Sequence, residues 1–144
     1  MGERLRDESG NTLALFPAAV MVMFVLASMA IDAALTFSAQ RALSDIATAA
    51  ANDAASAFAD EVYFVEGVVE LDPVQVQDRT DATLANRPDA DRLNASCTAT
   101  LADDATQVVV DCTGRVRQLI SPARFLGVMD RDIAARATAR PVAG

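Results

Sequence analysis

Residues 11–31 read NTLALFPAAVMVMFVLASMAI, and they lie in an uncharged interval bounded by Glu8 and Asp32. A helix needs about 20 apolar residues, each rising about 1.5 Å, to cross the hydrocarbon core of a bilayer. A single Asp, Lys or Arg at its centre would cost roughly 2.5–3.5 kcal/mol on the insertion scale. The stretch therefore predicts a transmembrane helix, with Pro17 near its start where neighbouring groups tolerate a kink. The alternative is a buried helix in the core of a soluble protein.

The residues before this stretch predict its orientation. Residues 1–10, MGERLRDESG, contain Arg4 and Arg6, and the next basic residue is Arg41. Because Lys and Arg accumulate on the cytoplasmic side of a span, we expect a cytoplasmic, leader-like head at 1–10. The C-terminal domain would then lie outside the cell membrane.

The composition excludes several classes of function. The net charge is −8, all 12 basic residues are arginine, and the chain has two cysteines and no histidine. Nucleic-acid binding requires basic clusters, zinc sites require Cys or His ligands, and most acid–base catalysis uses histidine. We therefore expect no nucleic acid, no metal, no cofactor and no enzymatic activity.

The helical pattern continues beyond the apolar stretch. Residues 32–60 contain neither Gly nor Pro and are rich in alanine, the strongest helix former. Apolar side chains recur there at spacings of three and four, which predicts one apolar stripe; it comprises Ala39, Leu43, Ile46, Ala50, Ala54, Ala57 and Phe58. The small residues would allow another helix to approach closely, or the stripe would pack on its own domain. Asp32, at the membrane exit, is either interfacial or a site that pairs with a partner.

Residues 61–144 predict a small α+β domain. Residues 62–71, VYFVEGVVEL, suggest a first strand. Asp72 and Pro73 open a helix that should end near Asn86, before Arg87-Pro88. Residues 87–94, RPDADRLN, are predicted to form a loop.

Residues 96–113, SCTATLADDATQVVVDCT, predict a β-hairpin whose turn contains DDA. In one register the numbers of opposed residues sum to 209, so that Leu101 is opposite Val108 and Cys97 is opposite Cys112. All four side chains then lie on the same side of the ribbon. Opposed Cβ atoms on neighbouring strands lie about 4.5–5.5 Å apart, close to the separation in a disulfide. We therefore expect a Cys97–Cys112 disulfide, as suits an exported domain; the alternative is two free buried thiols.

The C-terminal part predicts the remaining elements. Residues 115–120 would extend the second hairpin strand, and Ser121-Pro122 resembles a helix start that leads to Gly127. Residues 131–140, RDIAARATAR, alternate apolar and polar side chains and predict a final, half-exposed strand.

The order of these features resembles a known family. A polar head ends in glycine (RDESG, 6–10), a hydrophobic helix follows, an aspartate marks its exit (AID, 30–32), and an alanine-rich helix begins with an arginine (QRALSDIATAAANDAA, 40–55). This order resembles the TadE/TadG-like proteins of the tight-adherence (Flp) type IV pilus system, especially the short actinobacterial members. The resemblance is closest over the first ~58 residues, and the rest agrees in layout.

The resemblance implies a role in pilus assembly. In that family a prepilin peptidase cuts after a glycine, which here would be Gly10 before Asn11. Many members carry a glutamate and then an aromatic residue shortly after the cut, whereas this chain has Leu15 and Phe16. The missing glutamate favours a TadG-like, membrane-anchored accessory subunit over a shaft subunit. Pilin-like or assembly subunits, or further copies of this chain, would contact the N-terminal helix at Phe16, Pro17 and Asp32.

A secreted binding protein is the alternative. Ser28-Met29-Ala30 fits the small-x-small pattern of signal peptidase, and cleavage before Ile31 would release a soluble domain. The head suits this alternative poorly, since its two arginines are outnumbered by three acids.

Overall fold

The computed structural model describes residues 9–57, 71–102, 107–117 and 130–141, with side chains from Leu15 onward in the first of these ranges. The elements, in chain order, are α1 (Ser9–Ala54), α2 (Pro73–Ala85), α3 (Pro88–Leu93), β1 (Ser96–Leu101), β2 (Val108–Arg117) and β3 (Asp130–Ala139). A long N-terminal helix is thus followed by a small antiparallel sheet, which confirms the predicted α+β layout.

Helix α1 is continuous over 46 residues and includes Pro17, which corresponds to a length of about 70 Å. Proline removes one backbone hydrogen bond and usually disturbs the preceding turn, but here it lies close to the start of the helix. The helix ends at Ala54 and is followed by turn hydrogen bonds, such as that from the Ala57 amide to the Ala54 carbonyl. The predicted continuation of the membrane helix into the domain is therefore correct, and its end falls before residue 60.

The three strands form one antiparallel sheet in the order β1-β2-β3. Leu101 pairs with Val108, Ala99 with Val110 and Cys97 with Cys112, which is the register predicted from the sequence. Strand β3 then adds to the other side of β2, with Ala137 opposite Val110 and Ala135 opposite Cys112. The half-exposed final strand is confirmed, since its burial alternates along the strand.

One face of the sheet carries the core. Val108, Val110, Cys112 and Val116 of β2 are buried and lie on the same face because their positions differ by even numbers. Buried residues of α1 belong to the same cluster, headed by Leu43 and Ile46. The core thus lies between α1 and the sheet, and alanines supply much of the helical side of it.

Helix α2 begins and ends near the predicted positions. The Asp72 carboxylate accepts a hydrogen bond from the Val74 amide at 2.9 Å, and Pro73 occupies the first turn. An aspartate at this position satisfies one of the amides that the first turn leaves without an intrahelical partner. The helix ends at Ala85, one residue before the predicted end.

The predicted loop at 87–94 is wrong, because residues 88–93 form helix α3. Pro88 stands in the first turn, where it needs no amide donor, and Asp89 and Asp91 lie near the positive helix N-terminus. Asn94 ends the helix in the left-handed conformation at φ 46°, which asparagine tolerates better than most residues. These local effects stabilise a short helix in a sequence whose composition is typical of a loop.

Two glutamines satisfy backbone groups at the outer edges of the sheet. The Gln77 side chain of α2 accepts a hydrogen bond from the Ala99 amide at 2.9 Å and donates to the Cys97 carbonyl at 3.5 Å. Gln40 of α1 donates to the Ala134 carbonyl of β3 at 2.9 Å. Since the Cys97 carbonyl points away from β2, Cys97 and Cys112 form a non-hydrogen-bonded pair, in which side chains come closest.

Some predicted elements lie outside the described residues. Of the suggested strand at 62–71 only Leu71 is described, and it forms an isolated β-bridge. The hairpin turn at 103–106 and the helix predicted to start at Ser121 are also outside the described ranges. Strand β2 does extend beyond the hairpin, as far as Arg117.

Candidate membrane and partner interface

The first half of α1 exposes apolar side chains all around the helix. We call residues 15–37 the apolar segment. Its large apolar side chains are between 37% and 74% exposed; they are Leu15, Phe16, Val20, Met21, Val22, Met23, Phe24, Val25, Leu26, Met29, Ile31, Leu35 and Phe37. Within the described part of the chain, α1 is the one helix long and apolar enough to cross a membrane. A helix that is apolar all round requires an apolar environment, from lipid or from other helices.

The second half of α1 is amphipathic and packs on the domain. We call residues 39–54 the docked segment. Leu43, Ile46, Ala47, Ala50 and Ala54 are fully buried there, whereas the opposite face is exposed and polar at Arg41, Ser44, Asp45, Thr48 and Asn52. The apolar stripe predicted for this region therefore packs on the protein's own domain, which was one of the two alternatives, as far as Ala57; its last predicted member, Phe58, lies outside the described residues.

Asp32 lies on the same face of α1 as Ala50 of the buried stripe. The two positions are 18 residues apart, and 18 residues make five helical turns. Its side chain is 8% exposed, whereas those of Ile31 and Leu35 are 47% and 37% exposed. The Thr36 hydroxyl donates to the Asp32 carbonyl at 2.9 Å. Its side chain is therefore turned inward, and its two predicted roles, as an interfacial residue or as a site that pairs with a partner, stay predictions.

The other predicted site residues lie at different places along the chain. Gly10 and Asn11 belong to the first turns of α1, which begins at Ser9. Phe16 is 74% exposed and Pro17 is also exposed, so both positions are open to lipid or to another helix. Phe16 and Asp32 are 16 positions apart, about 24 Å along the helix, and therefore do not form one site.

Cys97 and Cys112 form a disulfide whose Cα atoms are 4.1 Å apart. The two residues are 6% and 1% exposed, on the face of the sheet that carries the core. The disulfide joins the two hairpin strands across the middle of this small core. Its role is structural, since burial keeps both sulfurs away from thiols in solution.

The opposite face of the sheet is polar and exposed. Arg136 pairs with Asp111 through two hydrogen bonds, one of them from Nη2 to Oδ2 at 3.0 Å, and Arg115 Nε lies 3.3 Å from Asp132 Oδ1. The hydrogen bonds and charge of Asp111 raise the pKa of Arg136 above its already high ordinary value. The interaction of protonated Arg136 with Asp111 therefore stabilises the fold at every pH below the ordinary pKa of arginine. This stabilisation is lost only in strong alkali, as the pH rises through the raised pKa. The charge of Arg136 therefore does not change near neutrality.

A shallow polar groove lies between the docked segment and α2. It has a volume of about 480 Å³ and is lined by Asp53, Arg79, Thr83, Asn86 and Arg87, among others. The Thr83 hydroxyl donates to Asp53 Oδ2 at 2.7 Å, so the two helices are joined across the groove. Among the described residues no group of three or more His, Cys, Asp or Glu side chains could hold a metal ion.

Comparison with protein-family models, with curated proteins and with solved structures gives no match. The chain's own geometry defines a coarser class: an α+β protein whose N-terminal helix could form a single membrane span. That helix enters the domain without a break, and its two halves present different surfaces.

The apolar segment and the disulfide were predicted from the sequence, whereas the glutamine contacts and the burial of Asp32 were not. Gln40 and Ala134 are separated by 94 positions, and no local pattern indicates such a contact. A helical wheel extended from the docked segment back to Asp32 would have placed this acid on the inward face.

Proposed function

We propose that this chain is a single-pass membrane subunit of a tight-adherence (Flp) pilus system, of the TadE/TadG-like type. It acts as an accessory or minor pilin-like component in the cell membrane, with its N-terminus cytoplasmic and its domain outside. Its role is structural rather than catalytic. The observation that carries the proposal is the continuity of α1 from the exposed apolar segment into the buried docked segment.

The continuity of α1 suggests a mechanism. The apolar segment packs among lipids and the helices of other pilus-assembly subunits, with Phe16 and Pro17 exposed for such contacts. Because Leu43 and Ile46 fix the same helix to the sheet, any shift or rotation of the apolar segment is transmitted to the domain. The domain then presents its polar sheet face and its acidic surface to partners outside the membrane.

The order of features in residues 6–55 supports the pilus assignment, as does the helix-plus-small-domain layout. The resemblance predicts that Gly10 is the last residue of a leader. The Leu15-Phe16 sequence in place of glutamate and aromatic residue favours an accessory subunit. A clean deletion should abolish or strongly reduce pili, and normal piliation in the deletion strain would contradict the proposal.

Replacement of residues 15–31 by an all-leucine helix of equal length tests the contacts of the apolar segment. The variant should stay in the membrane and keep its folded domain, because polyleucine satisfies the same hydrophobic requirement. It should fail to restore pili in the deletion strain, since specific helix contacts in membranes depend on small side chains and shape. Full restoration of pili would contradict a role for helix contacts.

A secreted binding protein remains a second candidate, because the hydrophobic core formed by the described residues begins with Leu43, after Ala30. Cleavage before Ile31 would therefore release the core intact. Intact mass and N-terminal sequencing of the native protein separate the candidates. A start at Asn11 supports prepilin-type processing, a start at Met1 or Gly2 supports a permanent anchor, and a start at Ile31 would contradict the membrane subunit.

A further inference from the structure

The contacts of α1 with the sheet show which end of the domain is nearest to the apolar segment. Leu43 lies 3.4 Å from the position of a Cβ atom built on Gly114 of β2, and Gln40 bonds to Ala134 of β3. From Leu43 to Ala54 the helix rises about 17 Å, and β2 from Gly114 back to Val108 covers about 20 Å. These two buried stretches have similar lengths and share one core. The docked segment therefore runs alongside β2, from Gly114 toward Val108. Residues 115–117 and 130–132, which we call the proximal end, therefore point back toward the apolar segment.

The proximal end lies at the level where a membrane-spanning α1 would leave the hydrocarbon. Arg131 precedes Ala134 by three strand positions, about 10 Å, which equals the rise of about seven helical residues. Arg131 is thus level with about residue 33 of α1. The predicted span ends at residue 31, and the headgroup layer adds roughly 5–7 Å, or about four helical residues. Arg131 therefore falls within the headgroup layer.

The charges of the proximal end leave an excess of arginine. Arg115 pairs with Asp132 at 3.3 Å, and Arg117 is opposite Asp130 in the strand register. Arg131 is exposed and forms no ion pair with the described residues. Arg41, about 6 Å beyond Phe37 on α1, is likewise exposed and without an ion pair in the described ranges. In a chain of net charge −8, this end is suited to contact a negatively charged surface.

The exposed apolar surface of α1 continues past the level of Arg131, as far as Phe37. Phe37 is 72% exposed, and the first basic residue beyond it on the exposed side is Arg41. Aromatic side chains are favoured at the boundary between hydrocarbon and headgroups, and arginines reach from such positions to lipid phosphates. Asp32, near this level, is buried and does not present its charge to the lipid.

We propose that the proximal end of the sheet rests on the anionic lipid headgroups of the leaflet from which α1 emerges. Arg131 contacts lipid phosphates there, and Arg41, about 12 Å farther along α1, reaches back toward them because helical side chains tilt toward the N-terminus. This inference rests on the membrane anchoring proposed above. The contact orients the strands along the membrane normal. The opposite end of the sheet, at Val108 and Ala139, then points away from the membrane. Basic residues gain favourable energy near an anionic surface within a Debye length.

The chain has no tryptophan, so single tryptophans can report the distance from the membrane. Ala134→Trp and Thr138→Trp are matched probes, because both positions are exposed on the same face of β3 and lie about 13 Å apart. The full-length protein is reconstituted in vesicles of phosphatidylcholine, with or without phosphatidylglycerol. Quenching by a lipid with a nitroxide on its headgroup is then measured.

We expect stronger quenching at 134 than at 138, and a larger difference when phosphatidylglycerol is present. Arg131→Gln combined with Arg41→Gln should remove the part of the quenching that depends on phosphatidylglycerol. Arg140→Gln, an exposed arginine just beyond the other end of β3, is the control and should leave it unchanged. Equal quenching at the two positions, or equal effects of the two sets of substitutions, would overturn the inference.

Flotation of the same vesicles separates this inference from the proposed anchoring. If the protein does not float with the lipid, both the anchoring and the headgroup contact are wrong. If it floats but the two probes are quenched equally, the anchor stands and the headgroup contact is wrong.

Discussion

Both halves of α1 contain many apolar residues, yet they require different surroundings. In the apolar segment large side chains such as Met21, Met23 and Phe24 point in every direction and are 71–72% exposed. In the docked segment apolar residues occupy one face, and the other face carries Arg41, Asp45 and Asn52. The arrangement of apolar residues around the helix therefore distinguishes a part that requires an apolar environment on every side from a part that packs on its own domain.

The halves also differ in side-chain size. The buried face of the docked segment is mostly alanine, including Ala47, Ala50 and Ala54, and its large members are Leu43 and Ile46. Alanine allows the helix to lie close to the sheet, but each buries little apolar area. The stability of the domain should thus depend strongly on a few large side chains and on the disulfide.

The largest effect is expected from truncating one leucine in each half of α1 and comparing the free energies of unfolding. Leu43→Ala should lower the free energy of unfolding of the domain by about 2–5 kcal/mol, because it leaves a cavity in the core. Leu26→Ala, at a position that is 61% exposed, should leave domain unfolding unchanged. Denaturant unfolding of both variants, in micelles of the same detergent, measures the difference. Equal effects at the two positions would contradict the division of α1.

A charge introduced into the apolar segment should impair membrane insertion, whereas a charge introduced into the docked segment should not. Met23→Arg should impair membrane insertion by roughly 2.5–3.5 kcal/mol, as for an arginine near the centre of a span. Thr48→Arg, on the exposed face of the docked segment, should insert normally. Membrane and soluble fractions of cells that express each variant provide the measurement. Normal insertion of the Met23 variant would show that this half does not require lipid.

The disulfide should contribute to the domain alone. Replacement of both Cys97 and Cys112 by alanine should lower the free energy of unfolding by about 3 kcal/mol, as expected for a closed loop of this size. Their separation is 15 positions. Membrane retention should not change, because the proposed anchor is α1. An unchanged unfolding midpoint, or a loss of membrane retention, would contradict these separate roles.

The smallest effect is expected at the start of α2, a helix that packs on the docked segment. Asp72→Ala removes the carboxylate that accepts the Val74 amide, and should cost the domain about 1 kcal/mol. Asp78→Ala, exposed on the same helix, is a matched control and should cost less. Thermal unfolding followed by circular dichroism compares the two, and an equal loss in both would argue against the capping role.

The elements that follow from local patterns were predicted well from the sequence. The long helix was predicted by its lack of charge and its alanine content, and the hairpin register by alternation around two cysteines. Leu101 opposite Val108 and Cys97 opposite Cys112 show the strength of that constraint, since a shift by one residue would turn every apolar side chain outward.

Other features depend on effects that a local pattern does not show. Residues 88–93 have the polar composition of a loop, and only proline and two acids in the first turn favour the helix that they form. The inward orientation of Asp32 depends on the phase of a stripe that begins beyond it. Gln40 and Gln77 contact backbone groups at the sheet edges that are distant in the sequence. From the sequence alone, both glutamines would be expected to point into solvent.

The division of α1 is tested most directly by a nitroxide scan along residues 15–54 of the full chain in lipid vesicles. Because the two native cysteines form a disulfide, each introduced cysteine is the single free thiol available for labelling. Labels at 15–31 should be accessible to membrane-dissolved oxygen on every face. Labels at 44, 45, 48 and 52 should be accessible to a water-soluble relaxant, while those at 43, 46 and 50 are protected from both. Water accessibility throughout 15–31, or the same one-sided pattern in both halves, would contradict the account.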